Sequence, residues 1–109
     1  MSYNIIAVPT FSKELKKLAK KYPSIKSDLA NLFALLEENP KQGTALGQNC
    51  YKIRISISSK GKGKSGGARI ITNIVITLET VYLLSIYDKS DKETLTNKEL
   101  NELLELIDD

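Results

Sequence analysis

Apolar residues recur along the chain with two spacings, one typical of helices and one typical of strands. Over residues 11–22 and again over 25–36 they fall three or four positions apart, which predicts two amphipathic helices. Pro23 separates the two helices and Pro40 follows the second. The short connection between them predicts an antiparallel helical hairpin.

Four segments have the pattern of strands. Residues 3–8 are short and apolar, and residues 51–57 alternate strictly between apolar and polar side chains. Residues 68–77 alternate as well, with a core face expected to hold Ile70, Ile74, Ile76 and Leu78. Residues 81–87 are apolar on both faces, which predicts a central strand.

The last element predicted is a helix that begins after Thr96. Thr96 and Glu99 have the spacing of a capping box, in which each side chain satisfies a free backbone N–H of the first turn. The element order is therefore β-α-α-β-β-β-α. This order predicts an α+β fold, a mostly antiparallel four-stranded sheet with the helical hairpin packed on one face. The prediction leaves the opposite face free of helices.

The composition limits the class of protein and its chemistry. A chain of 109 residues is expected to form one domain, residues 1–109. No apolar run suits a membrane span, and the first residues do not resemble a signal peptide. One cysteine, Cys50, allows no internal disulfide, which favours a cytoplasmic protein. The absence of histidine excludes histidine-based metal sites and catalytic triads, and we expect no metal and no cofactor.

Charge is distributed unevenly along the chain. Residues 1–74 hold 13 lysines and arginines against 4 acidic residues, whereas residues 75–109 hold 3 and 9. Residues 50–69 carry six basic residues and no acidic one. Such clustering indicates a polyanionic partner, most often nucleic acid, although a solvated lysine-rich loop would have the same composition.

Two apparent motifs have simpler explanations. Residues 61–66 match the string G-x-G-x-x-G, but a phosphate-binding loop of this kind must lead into a helix, and here a strand follows. Asp88 and Asp91 could share a metal ion, but the lysines between and after them are more typical of a charged turn.

Basic residues do converge on the strands. Lys52 and Arg54 leave the same face of one strand, about 6–7 Å apart, and alternation puts Arg69 on the same surface of the next strand. Lys89 follows the strand after that and is expected at the rim. The sequence therefore predicts a basic patch on the sheet, opposite the apolar face and beside a lysine-glycine loop.

Three segments carry a resemblance to a known family: CYKIR (50–54), SKGKGKSGGARII (59–71) and YLLSIYDKSDK (82–92). They resemble the RelE/ParE superfamily of bacterial toxins, and most closely its RelE and HigB-like branch. The resemblance implies a RelE-like fold and an endoribonuclease that enters the ribosome and cuts mRNA. It also implies a cognate antitoxin as partner, beside the ribosome and mRNA.

Residue by residue, the resemblance implies a catalytic group of Lys52, Arg54, Arg69 and Lys89. Arginines would clamp the phosphate, and Lys52 would act as general base or electrostatic stabiliser. The family's catalytic tyrosine falls near Leu95, which cannot transfer a proton, so Tyr87 and Lys92 are the candidates to replace it. The expected RNA contacts are Tyr87, Lys92 and the loop lysines Lys60, Lys62 and Lys64.

Two other functions stay open on the same fold. One is a ParE-like gyrase inhibitor, which binds its target without ribonuclease chemistry. The other is an inactive module that only binds RNA or an antitoxin. The paired Lys52 and Arg54 and the basic glycine-rich loop favour the ribonuclease.

Overall fold

Five strands form one mixed sheet, and three helices pack against it, in the part of the chain that the computed structural model describes. The described residues are 2–61, 63, 66–91 and 95–107. The strands are β1 (Asn4–Ala7), β2 (Thr44–Gly47), β3 (Cys50–Ile55), β4 (Ala68–Val75) and β5 (Thr80–Asp88), and the helices are α1 (Pro9–Lys21), α2 (Ile25–Glu38) and α3 (Asn97–Leu104).

The predicted α+β class is confirmed, with one strand more than expected. The sheet order is β1-β5-β4-β3-β2, and β2 is the additional strand at one edge. It pairs antiparallel with β3 through Thr44 opposite Lys52 and Ala45 opposite Tyr51. Gln48 and Asn49 form the connecting turn with positive φ angles of 55° and 60°. A strand of four residues that follows one glycine and ends in another carries too little alternation for the sequence pattern to identify it.

The predicted central position of the last strand is also confirmed, since β5 lies between β1 and β4. β1 pairs with β5 in parallel, from Asn4 opposite Thr80 to Ala7 opposite Leu83. Pro9 then opens α1, because proline suits the first position of a helix, where no backbone N–H is needed. The second half of β5 continues past the end of β1, and α1 packs against this strand.

The helical hairpin packs on one face of the sheet and encloses the main apolar core. On this face Ile53, Ile70 and Ile86 lie opposite one another across three strands. Burying one large aliphatic side chain contributes about 1.5–3 kcal/mol, so each of these three isoleucines favours folding by about that amount. The hairpin contributes the fully buried side chains Phe11, Ile25, Leu29 and Leu36. Within the described ranges, no helix has the length and apolar character to cross a membrane.

The opposite face is partly covered by α3, which differs from the expectation that the helices would lie on one face only. Leu100 of α3 is buried, and Asn101 accepts a hydrogen bond from the Gln48 side chain at 3.2 Å. Ile71 and Cys50 point to this face and are buried. Apolar residues on a face expected to be polar require such a cover, which explains the position of α3.

The predicted capping box at the start of α3 is confirmed. The Thr96 hydroxyl accepts from the Glu99 N–H at 3.1 Å, and a Glu99 carboxylate oxygen accepts from the Thr96 N–H at 3.1 Å. Two backbone N–H groups that a helix start leaves unpaired are thereby satisfied.

The prediction that Ile76 and Leu78 continue the core face of the strand at residues 68–77 was wrong. β4 stops at Val75, and Ile76 to Leu78 form a 3-10 turn in which Ile76 and Leu78 are 55% and 59% exposed. Glu79 closes this turn in the left-handed region, with φ 47°. The chain leaves the sheet there, so alternation no longer decides which side chains are buried.

Candidate functional site: a basic row across the sheet

Three of the predicted site residues lie on one face of the sheet, opposite the helical hairpin. Arg54 of β3 lies directly opposite Arg69 of β4, and Lys52 precedes Arg54 by two positions on the same strand. Directly opposed residues of antiparallel strands have Cβ atoms about 4.5–5.5 Å apart. We call Lys52, Arg54 and Arg69 the basic row.

The members of the basic row differ in exposure. Arg54 is exposed and Lys52 is half-buried, whereas Arg69 is only 5% exposed. One guanidinium nitrogen of Arg69 donates to the carbonyl oxygen of Ala68 at 3.2 Å. Arg69 therefore forms the floor of the basic row, and Arg54 and Lys52 form the side that solvent reaches.

Tyr87 extends this arrangement to a third strand, because it lies opposite Arg69 on β5. Its ring is buried, and burial raises the pKa of the phenol above its ordinary value. Arg69 opposes that rise in pKa and Glu99 of α3 adds to it. The phenol is therefore neutral near pH 7, which makes it a possible proton donor and not a base.

Lys89 lies at the edge of the same region. Its backbone N–H donates to the Gly67 carbonyl at 3.1 Å. This hydrogen bond lies next to the pair of Ala68 with Asp88, where the pairing of β4 with β5 ends. Lys89 thus follows Tyr87 by two residues, and Gly67 precedes Arg69 by two. The fourth predicted catalytic residue therefore has its backbone beside the start of β4.

Lys60 is in an ion pair, although the sequence assigned it to RNA. Its ammonium lies 2.7 Å from a carboxylate oxygen of Asp88, and its side chain is 12% exposed. The hydrogen bond with Asp88 raises the pKa of Lys60. The other predicted RNA contacts, Lys62, Lys64 and Lys92, lie outside the described residues.

Asp88 differs from its interpretation as part of a charged turn, since it is buried at the end of β5. Burial alone would raise its pKa, but hydrogen bonds from Lys60, Ser90 and Tyr22 outweigh burial and hold the pKa of Asp88 well below its ordinary range. The sequence pattern missed this role because polar residues after a strand usually lie in solvent. Tyr22 and Lys60, which contact the Asp88 carboxylate, become its neighbours only in the folded sheet.

A groove of about 290 Å³ runs beside the exposed side of the basic row. Gln42 and Thr44 line it together with Lys52 and Arg54. Thr44 lies opposite Lys52, which brings a hydroxyl and two cations to one rim. The sequence pattern could not indicate Gln42 or Thr44, because the segment that holds them has no clear alternation of apolar and polar residues.

Other parts of the described structure offer less chemistry. A larger apolar groove of about 510 Å³ lies between α1 and α2, with Phe11, Leu15 and Phe33 among its lining residues. It is on the hairpin side, away from the basic row. Within the described ranges, no three side chains of the cysteine and acidic types come together as they would around a metal ion.

The fold and the basic row together define a small α+β protein with a cationic sheet face. A family model described as the RelE toxin of the RelE/RelB toxin–antitoxin system matches residues 10–108. The chain belongs to the RelE toxin family.

Solved structures agree with this fold. An arginine-to-alanine double mutant of the Escherichia coli toxin RelE in the free state matches with a TM-score of 0.64 and 17% identity, over 98% of this chain and 99% of that one. The intact E. coli RelBE toxin–antitoxin complex matches with a TM-score of 0.62 and 19% identity, over 80% and 96%. The Mycobacterium tuberculosis RelBE2 complex matches with a TM-score of 0.60 and 20% identity, over 84% and 95%. At these identities the similarity supports the fold alone.

Proposed function

We propose that the protein is the toxin of a type II toxin–antitoxin system and that it cuts mRNA on the ribosome. The single observation that carries the proposal is the pairing of Arg54 with Arg69 on adjacent strands, beside Lys52. Like charges directly opposite each other in a sheet are unfavourable, so a folded protein gains little from this arrangement alone. A bound phosphate would turn it into a favourable one. Membership of the RelE toxin family supports the same reading.

The reaction would be attack of a ribose 2′-hydroxyl on the adjacent phosphate. The oxygen–phosphorus bond to the 2′-oxygen forms as the bond to the 5′-oxygen breaks, which leaves a 2′,3′-cyclic phosphate and a 5′-hydroxyl. The step needs a group that accepts the 2′-hydroxyl proton, positive charge near the phosphorane oxygens, and a proton for the leaving oxygen.

The basic row offers groups for the first two tasks. Arginine holds phosphate oxygens in two-point geometry and does not titrate near pH 7, so Arg54 and Arg69 are assigned to the phosphorane. Lys52 is assigned as general base or electrostatic stabiliser. Lys89 would be a fourth contact to the phosphate.

The proton for the leaving oxygen is assigned to Tyr87. Its phenol is neutral near pH 7, because burial raises its pKa, and it lies opposite Arg69. Lys92, the other candidate from the sequence, stays a prediction. A Tyr87→Phe variant keeps the ring and removes the proton, so it should lower the rate of the chemical step while leaving RNA binding unchanged.

The partners proposed are a cognate antitoxin, the ribosome and mRNA, with a cytoplasmic location. The matched RelBE structures from E. coli and M. tuberculosis contain a toxin with its antitoxin. An antitoxin of this chain would be expected to neutralise the charge of the basic row.

A second function is favoured by one observation, the burial of Arg69 at 5% exposure. A guanidinium this deeply buried can hold a binding surface in place without taking part in a reaction. The second candidate is therefore an inactive module that binds RNA or an antitoxin through Arg54 and Lys52.

The test is induction of the protein in cells followed by primer extension across abundant mRNAs. Cuts spaced by codons, lost in Arg69→Ala with the fold retained, are expected of the ribosome-dependent nuclease. Growth arrest with DNA damage and no cuts would indicate gyrase as the target. The absence of both mRNA cuts and growth arrest would indicate the inactive module.

A further inference from the structure

Asp88 joins three separate parts of the chain at the end of β5. Its carboxylate accepts hydrogen bonds from the Lys60 ammonium at 2.7 Å, the Tyr22 hydroxyl at 2.7 Å and the Ser90 N–H at 3.0 Å. Asp88 is 1% exposed. Lys60 begins the glycine-lysine stretch, which we define as residues 60–67, and Tyr22 follows α1.

The far end of the glycine-lysine stretch meets the same place. The Gly67 carbonyl accepts from the N–H of Lys89, the residue after Asp88, at 3.1 Å. Gly67 also has no room for a side chain, since a Cβ there would overlap the carbonyl oxygen of Ile55. The described ends of the stretch are therefore both held at residues 88–89, and the end at Gly67 is two residues from Arg69.

A second set of hydrogen bonds holds the turn before Lys60 against the helical hairpin. The Asp28 carboxylate accepts from the Ser58 N–H at 3.0 Å and from the Ser58 hydroxyl at 2.6 Å. The Ser24 hydroxyl accepts from the Ser59 N–H at 2.8 Å. Asp28 thus holds the start of the turn, whereas Asp88 holds the side chain of Lys60, the last residue of the turn.

We propose that Asp88 is a positioning residue for RNA cleavage: by holding Lys60 and bordering Lys89, it fixes the two described ends of the glycine-lysine stretch, of which Gly67 lies two residues before Arg69. This inference rests on the proposed function. Asp88 does not touch RNA. It acts through Lys60 and through the backbone pair of Lys89 with Gly67, two residues before Arg69.

Stability alone is a poor explanation for this ion pair. Removing two charges from water costs free energy, and the attraction between the charges often does no more than offset that cost. Apolar residues of similar volume can therefore often replace a buried ion pair without a loss of stability. Asp88 also accepts from two distant segments, from Tyr22 after α1 and from Lys60 in the turn after β3. Such an arrangement fixes the position of Lys60 at the point where the chain enters a segment rich in glycine.

The experiment compares wild type with three variants in single-turnover cleavage of mRNA on programmed ribosomes. Asp88→Asn removes the charge that holds Lys60 and keeps the shape of the side chain. Tyr22→Phe removes one hydrogen bond from the same carboxylate but leaves the ion pair with Lys60 intact. Asp91→Asn loses the same charge as Asp88→Asn from an exposed side chain three residues away.

Asp88→Asn should lower kcat/KM at least about tenfold, because a misplaced catalytic or binding group costs that much or more. Tyr22→Phe and Asp91→Asn should stay within about threefold of wild type. All variants are assayed at a temperature where each is fully folded by circular dichroism. The alternative result is that Asp88→Asn and Tyr22→Phe both lose activity in proportion to their loss of unfolding free energy. In that case the role of Asp88 is structural and the proposal is overturned.

Amide hydrogen exchange separates this proposal from the proposed function. The N–H groups of Lys60 and Gly61 bond to the Ile57 carbonyl, and that of Lys89 bonds to Gly67. Asp88→Asn should raise exchange at these amides at least about tenfold, with the β3 and β4 amides unchanged. Unaltered exchange would overturn the positioning role even if the wild type cuts RNA. Absence of cleavage by the wild type, with exchange raised in Asp88→Asn, would overturn the proposed function and the role in cleavage, and would leave Asp88 as the residue that anchors the ends of the stretch.

Discussion

Substitution of Arg54 should separate activity from stability. Arg54→Gln removes the charge and keeps most of the aliphatic stem, at an exposed position directly opposite Arg69. Loss of one electrostatic donor from a transition state lowers rates about 10²–10³-fold, and we expect a loss of this size in kcat. Removing one of two like charges at opposed positions relieves a repulsion of about 0.2–1 kcal/mol. The free energy of unfolding should therefore stay the same or rise by that amount.

The assay pairs single-turnover cleavage on ribosomes with urea unfolding. The chain has no tryptophan, so unfolding is followed by far-ultraviolet circular dichroism. Lys26→Gln on α2 is the matched control, an exposed cation on the hairpin side of the sheet. Its activity and stability should both match the wild type. Arg54→Gln would refute the reasoning if it cleaved within about threefold of wild type, or if its stability fell by more than about 2 kcal/mol.

Three further substitutions test the packing around the site. Gly67→Ala should lower the free energy of unfolding by about 3 kcal/mol, because its Cβ would overlap the Ile55 carbonyl oxygen. Gly61→Ala, at φ 72° in open space, should cost about 1 kcal/mol, and equal losses in urea unfolding would contradict this difference. Thr96→Ala should cost about 1 kcal/mol through the lost cap, and no change would show that packing alone holds α3. Because the pKa of Asp88 is lowered by folding, its stabilising effect is present above its unfolded pKa of about 3.9 and is lost as the pH falls through the folded value. Thermal unfolding between pH 2 and 7 should show a smaller acid loss for Asp88→Asn, and identical slopes would contradict the assignment.

The sequence predicts most of the fold because its strongest signals are local. The spacing of apolar residues in α1 and α2, the capping box at Thr96 and the two-sided apolar pattern of β5 each arise within one element. The structure confirms these elements and the class. β2 and the turn at Ile76–Leu78 were missed because pairing partners and chain direction decide them, and neither is visible in a short run of side chains.

The candidate site shows the same limit. Strand alternation is enough to put Lys52, Arg54 and Arg69 on one face, since it needs only the strand assignments. It does not show that Arg69 is buried, because burial depends on neighbours far away in the chain. It also cannot show that Lys60 and Asp88 meet, since 28 residues separate them and a folded sheet brings them together.

The ends of the RNA fragments test the central claim most directly. Purified protein is added to ribosomes that hold a defined mRNA, and the termini at the cut are identified by mass spectrometry. The account predicts one cut per ribosome with a 2′,3′-cyclic phosphate and a 5′-hydroxyl, and no cut when the ribose at that site lacks its 2′-hydroxyl. Fragments that carry a 5′-phosphate, or cleavage that persists in the 2′-deoxy substrate, would contradict it.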